Sequence, residues 1–192
     1  MDSPSSIIVD HLEQSFKGED IAITYIYCSY KEQEDQTTVN LIANLLRQLV
    51  QKTPVIANEI VSLYNDHIKR NTAPTLAEWS KMLQSEARRV SKVFIIIDAL
   101  DECSQGTRNT FLAEIQKLHP TIHLMVTSRH IGSIEPEFEK AVCVEICANE
   151  GDVRRYLEDR IEREPRLVRN VKGVPALQET VINAIVKSAK GM

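Results

Sequence analysis

The sequence predicts an α/β fold in which helices cover a mainly parallel sheet. Three observations predict it. Short runs rich in β-branched and aromatic residues alternate with longer segments whose apolar residues recur at helical spacing. One run, Val93 to Ile97, is apolar without interruption, as suits a strand buried on both faces in a parallel sheet between helices. The chain ends in helical patterns, so the sheet occupies the earlier part and a helical segment follows it.

The elements follow in order. Ile7 to Phe16 reads as a short helix with Ile8, His11, Leu12 and Phe16 near one face, ended by Lys17-Gly18-Glu19-Asp20. Ile21 to Tyr27 is a strand by composition. Val39, Ile42, Leu45, Leu46, Leu49 and Val50 recur at helical spacing, with Asp35 as N-cap and Pro54 as the stop. Ile56 to Ile68 is a second helical pattern, broken by Asn71 to Pro74. Thr75 caps a third helix, Leu76 to Val90, with Glu78 as its capping-box partner. After the strand Val93 to Ile97 come a helix, Thr107 to Leu118, and two strands, Ile122 to Val126 and Val142 to Ile146. Helices Asp152 to Arg163 and Ala176 to Lys190 close the chain, with hinges expected at Glu162 to Pro165 and Lys172 to Pro175.

Composition bounds the function. A chain of 192 residues fits one domain, or one domain with a short extension. Hydrophobic residues at 43% can fill a core, which excludes global disorder. Acidic residues outnumber basic ones by 27 to 23, so no general attraction to nucleic acid or anionic lipid is expected. Aromatics at 5% leave few stacking platforms for single-stranded nucleic acid. The apolar stretches fall short of the ~20 residues of a membrane span, and Met1 to Ser6 has no signal-peptide character, so a cytoplasmic protein is expected. Cys28, Cys103, Cys143 and Cys147 lack a paired zinc spacing. Across a strand, Cys143 and Cys147 would stand ~13 Å apart, too far for a disulfide. Reduced, buried thiols are the expectation.

The segment that carries chemistry is Val93-Phe94-Ile95-Ile96-Ile97-Asp98-Ala99-Leu100-Asp101-Glu102-Cys103. A buried strand there delivers three carboxylates at its C-terminal end, where parallel α/β sheets bind ligands. Asp98 suits a magnesium ion, and Asp101 or Glu102 an attacking water. The plainer alternative is an acidic, solvated helix N-terminus favoured by the helix dipole. The next strand ends in Thr127-Ser128-Arg129-His130, where hydroxyls and a guanidinium could sense phosphate; the alternative for Arg129 is a surface ion pair. His119, His123 and His130 form no defensible metal set. Ser128, His130 and the nearby acids are too close in sequence to assign a triad, and no glycine-flanked nucleophile elbow occurs.

The strand ending in DALDEC, followed by LMVTSRH, resembles the second half of a NACHT-type STAND NTPase. The resemblance is strongest to the nephrocystin-three-like N-terminal domain of fungal ankyrin- and WD-repeat proteins. IAITYIYCSYKEQEDQTTVNLIANLLRQLV is similar to the strand and helix before the Walker B region there, and EGDVRRYLEDRI and VINAIVKSAKGM are similar to later segments. The resemblance implies a three-layer P-loop NTPase-like sheet, Walker B duty for Asp98, an acidic pair in Asp101 and Glu102, and a sensor in Arg129 with Thr127 and Ser128 beside it. It implies Mg2+ with ATP or GTP as cofactors, and an intracellular signalling role. The implied layout is a residual N-terminal helix over 1–20, an NTPase-like core over 21–148, and the start of a helical subdomain over 149–192.

The departure from the family is as informative. Such NTPases hold phosphate with G-x-x-x-x-G-K-[ST], and none of the six glycines here precedes a lysine followed by Ser or Thr. Met1 to Ser6 stands where the family has its phosphate loop, so the expectation is a module cut at both ends or a short relative. The loop supplies several charge-assisted bonds, each ~1.5–3 kcal/mol. Without three or four of them affinity falls by several decades, at ~1.4 kcal/mol per decade. Weak or absent nucleotide binding by this chain alone is therefore expected.

The sheet is expected to be incomplete as well. The three strands Ile21 to Tyr27, Val93 to Ile97 and Ile122 to Val126 should be contiguous with the Walker B strand central. The strand Val142 to Ile146 either closes up beside the sensor strand or stands apart. An unpaired edge invites self-association, or binding of a protein partner or an intact relative. Three functions follow: a partial signalling NTPase module, a non-catalytic interaction module, or an NTPase completed by a phosphate loop from another chain.

Overall fold

The computed structural model describes residues 4–53, 55–118, 122–147, 149–171 and 174–188. The chain divides into two compact units, Met1–Glu139 and Lys140–Met192.

The first unit is built on three parallel strands in the order β1 (Ile21–Tyr27), β2 (Lys92–Asp98), β3 (Ile122–Val126). The uninterrupted apolar run is the central strand, as burial on two faces demands. Its residues alternate between two clusters. Val93, Ile95 and Ile97 face one side with Ala22, Ile26, Leu41, Leu45, Phe111 and Leu112. Ile96 and Phe94 face the other with Ile23 and Val9. Helix α1 (Pro4–Ser15) covers that second face, while α2 (Thr38–Lys52), α4 (Leu76–Ala87) and α5 (Gln105–Gln116) cover the first. The unit therefore has helix, sheet and helix layers. Burial of each large aliphatic side chain of β2 stabilises it by about 1.5–3 kcal/mol.

The outer edge of β1 is closed by side chains rather than by a strand. Gln48 of α2 accepts from the Tyr25 main-chain N–H at 2.9 Å and donates to its carbonyl at 2.8 Å. Gln36 donates to the Tyr27 carbonyl at 2.9 Å. These amides take up the main-chain groups that an edge strand would present to another chain.

Local signals explain most helix limits. Thr75 and Glu78 form the expected reciprocal capping box at the start of α4. The cap of α2 is Thr37, whose hydroxyl accepts from the Asn40 N–H at 3.3 Å, and not Asp35. Asp35 lies in the preceding turn, where its carbonyl takes the Asn40 side-chain amide at 2.7 Å. An N-cap needs extended backbone, which Thr37 has. Helix α3 (Asn58–Arg70) ends at Asn71 in the left-handed region, a conformation asparagine tolerates.

In the second unit, Val142 to Ile146 belongs to no strand or helix. Val142, Val144 and Ile146 are 95%, 77% and 80% exposed. β-propensity alone does not hold a strand that has no partner to share a ladder. Cys143 and Cys147 are exposed with it, so the expectation of four buried thiols holds only for Cys28 and Cys103. Helices α6 (Glu150–Arg163), α7 (Pro165–Val171) and α8 (Pro175–Ser188) follow, with Ile161, Ile182 and Val186 as their small core. Arg154 ties α6 to α8 through Glu179 at 2.9 Å. Helix α7 occupies what the sequence reading left between two hinges. Its first residue is Pro165, whose fixed φ suits a helix start. Pro54, His119, Lys172, Gly173 and the end from Ala189 lie outside the described residues.

Candidate functional site

Parallel register sets the site. Tyr27 pairs with Asp98 and Ile97 with Val126, so β1, β2 and β3 deliver their C-terminal ends side by side. The chain leaving β2 must turn at once, and Ala99 does so at φ 53°, in the left-handed region. For a non-glycine residue that conformation costs about 1–2 kcal/mol. The turn is held from the β3 side. The Ala99 N–H donates to Thr127 Oγ1 at 2.9 Å, and the Leu100 N–H to the Thr127 carbonyl at 2.9 Å. The Thr127 N–H donates to the Ile97 carbonyl at 2.9 Å.

The same threonine meets Asp98. Its hydroxyl donates to Asp98 Oδ1 at 2.5 Å, and the Ser5 hydroxyl donates to the same oxygen at 2.6 Å. Ser5 is fully buried near the start of α1, so Asp98 joins that helix to β3 across the end of the sheet.

The acidic turn, Leu100–Glu102, is a single 3-10 turn. Asp101 accepts from the Arg129 main-chain N–H at 3.1 Å and from Arg129 Nε at 2.5 Å. The Asp101 side chain is 3% exposed and that of Arg129 is 78% exposed. Burial pushes the Asp101 carboxyl up, but the Arg129 hydrogen bonds and charge outweigh it and hold the group below the usual carboxylate range. The same contact raises the Arg129 guanidinium. Glu102 turns the other way. Its Oε2 accepts from the Tyr30 N–H at 3.0 Å, and its carbonyl takes Gln33 Nε2 at 2.6 Å. Ser128 is exposed and its hydroxyl donates to the Arg129 carbonyl at 2.7 Å.

The structure thus brings Asp98 to Thr127 and Asp101 to Arg129. It engages Glu102 with the loop after β1 and leaves Ser128 in a local contact. Sequence reading missed Ser5, Tyr30 and Gln33 because their partners are 93, 72 and 69 residues away. His123 stacks on Phe94 with ring centroids 4.9 Å apart, which gives it a packing role. His130 lies 3.3 Å from Glu135.

Among the described residues, no group of three or more His, Cys, Asp and Glu is placed to hold a metal ion. Asp98 by itself fits the mode in which magnesium is held by one or two carboxylates, with waters and phosphate oxygens completing the shell. Among the described residues no helix is long and apolar enough to cross a membrane.

A family model described as Nephrocystin 3, N-terminal, matches residues 4–129. That span covers α1, the whole three-stranded sheet and every residue of the site just described. None of the curated proteins compared with the chain matches it.

Proposed function

The chain belongs to the nephrocystin 3 N-terminal family, and from that membership and the geometry above we propose that it is the acidic and sensor half of a NACHT/STAND-type signalling NTPase. One observation carries the reading. At the C-terminal ends of two adjacent parallel strands, a buried-strand aspartate is bonded to the sensor-strand threonine, and a second acid is paired with the sensor-strand arginine.

In this reading Asp98 is the Walker B residue and would hold Mg2+, which neutralises phosphate charge when bound. Thr127 and Ser5 orient the Asp98 carboxylate. Arg129 is the phosphate sensor, with Thr127 and Ser128 beside it. Asp101 and Glu102 form the acidic pair. In the present arrangement both acids are committed, Asp101 to Arg129 and Glu102 to the Tyr30 N–H. A terminal phosphate of ATP or GTP would compete with Asp101 for the guanidinium and free that carboxylate to orient water. The sequence has no G-x-x-x-x-G-K-[ST], so the 192-residue chain binds nucleotide weakly by itself and hydrolyses it inefficiently. Its setting is cytoplasmic signalling.

The test is NMR titration with millimolar ATP and magnesium. Shift changes should cluster at residues 98–102 and 127–129 and vanish in Arg129→Gln. Changes confined to other residues, or unaltered by that variant, would refute the assignment.

A second reading is a non-catalytic interaction module that binds a protein partner, an intact relative or another copy. It is favoured by the exposed apolar side chains of Val142, Val144 and Ile146, on a segment outside any helix or strand. A concentration-independent monomer in analytical ultracentrifugation would count against self-association.

A further inference from the structure

Cys28 directly follows β1 and Cys103 directly follows the acidic turn Leu100–Glu102. Both are buried, and their sulfurs lie 3.0 Å apart although the residues are 75 positions apart in sequence. The Cys28 N–H donates to the Asp98 carbonyl at 2.9 Å, which ties the end of β1 to β2, and the Cys103 N–H closes the acidic turn by donating to the Leu100 carbonyl at 3.2 Å. The two thiols therefore meet between the end of β1 and the turn that follows β2. Closing 3.0 Å to a covalent bond of ~2.0 Å needs about 1 Å of side-chain movement. Neither Asp98 nor Arg129 uses these thiols, so the functional reading leaves them unexplained.

We propose that Cys28 and Cys103 are an oxidisable thiol pair whose disulfide clamps the acidic turn to the end of β1. The oxidant is a small peroxide, of the size of hydrogen peroxide. The Cys103 thiolate attacks one peroxide oxygen, giving a sulfenic acid and hydroxide, which takes up the thiol's proton to leave as water. The Cys28 sulfur then attacks the sulfenic sulfur; the S–S bond forms, the S–O bond breaks, and the oxygen leaves with the Cys28 proton as a second water. Two thiols are oxidised and one peroxide is reduced. Either order of attack gives the same disulfide and the same two waters.

The clamp acts on the site through Glu102. That residue bonds to Tyr30, two positions beyond Cys28. A Cys28–Cys103 bond would hold the Glu102–Tyr30 contact shut, and would restrict the turn on which Asp101 must move.

The experiment treats the full chain with hydrogen peroxide and maps its peptides without reduction, in the wild type and in Cys143→Ser/Cys147→Ser. The second variant removes the exposed thiols, which would otherwise compete. The expected result in both is a Cys28–Cys103 linked peptide, loss of the mass of two hydrogens, and reversal by dithiothreitol. Amide exchange of Tyr30 and of residues 100–103 should slow at least several-fold on oxidation and recover on reduction. Stable sulfinic or sulfonic acid at Cys28 or Cys103 without the linked peptide, in protein whose Trp79 fluorescence is native, would overturn the proposal. So would a linked peptide with unchanged exchange at the acidic turn. Neither readout needs nucleotide, so failure here is separate from failure of the NTPase reading.

Discussion

Replacing Thr127 by valine should unfasten the site without opening a cavity in the core. The hydroxyl donates to Asp98 Oδ1 at 2.5 Å and accepts from the Ala99 N–H at 2.9 Å. A hydrogen bond to a charged partner contributes about 1.5–3 kcal/mol, and a stranded polar group costs about 1–3 kcal/mol. Thr127 is half-buried and Ser5 still serves Asp98, so water and the second hydroxyl recover part of both. The net loss should be about 2–3 kcal/mol, and the strained turn at Ala99 should loosen. Urea unfolding followed by the fluorescence of Trp79 is the assay. Trp79 is the only tryptophan and packs against the core of the first unit, so the signal reports that unit. With a slope of about 2 kcal/mol per molar, the midpoint should drop by about 1–1.5 M. Thr127→Ser, which keeps the hydroxyl, should recover most of it. Ser5→Ala and Thr127→Val should be non-additive, because they share one carboxylate oxygen. A valine variant within about 0.5 kcal/mol of wild type, or a serine variant as damaged as valine, would refute the role given to this hydroxyl.

Further expectations rest on other contacts. Arg129→Gln should destabilise the first unit at neutral pH, because it leaves the buried Asp101 carboxylate without its cationic partner. The sign with pH is fixed by the depressed Asp101 pKa. The stabilisation is present above the unfolded carboxyl value near ~3.9 and is lost as pH falls through the folded value. Wild type and variant should therefore converge in acid; a gap that widens below pH ~4 would contradict this. Phe111→Ala should cost about 3–5 kcal/mol by urea unfolding, since Phe111 is fully buried against the sheet; a cost under about 1 kcal/mol would contradict the packing. Ala99→Gly should be tolerated and Ala99→Val destabilising, because only the first relieves φ 53°. Equal effects of the two would mean that backbone strain is not the issue there.

How far the sequence disclosed this molecule depended on the range of each interaction. The uninterrupted run Val93 to Ile97 marked a strand buried on both faces, and a strand between two others is the one buried that way. The Thr75–Glu78 box was legible because both halves lie within one turn. Val142 to Ile146 misled because it has the composition of a strand but joins no sheet among the described residues, and composition carries no information on pairing. Asp35 and Thr37 are both competent caps, and the turn that holds Asp35 decides between them. In the site, the residues at the strand ends were visible as a row of acids and a Thr-Ser-Arg. Their pairing was not. Nothing local says that Asp101 takes Arg129 while Glu102 turns to Tyr30, or that Ser5 reaches Asp98. Those choices are made by strand register, which folds residues far apart in sequence onto one edge.

The most direct test of the functional reading is an equilibrium titration of the purified chain with labelled ATP and GTP in the presence of magnesium, with Asp98→Ala as the control. Neither nucleotide should reach saturation in the micromolar range, and wild type and variant should not differ there. Saturable micromolar binding that Asp98→Ala abolishes would contradict it, and would mean that another segment of this chain cradles the phosphates.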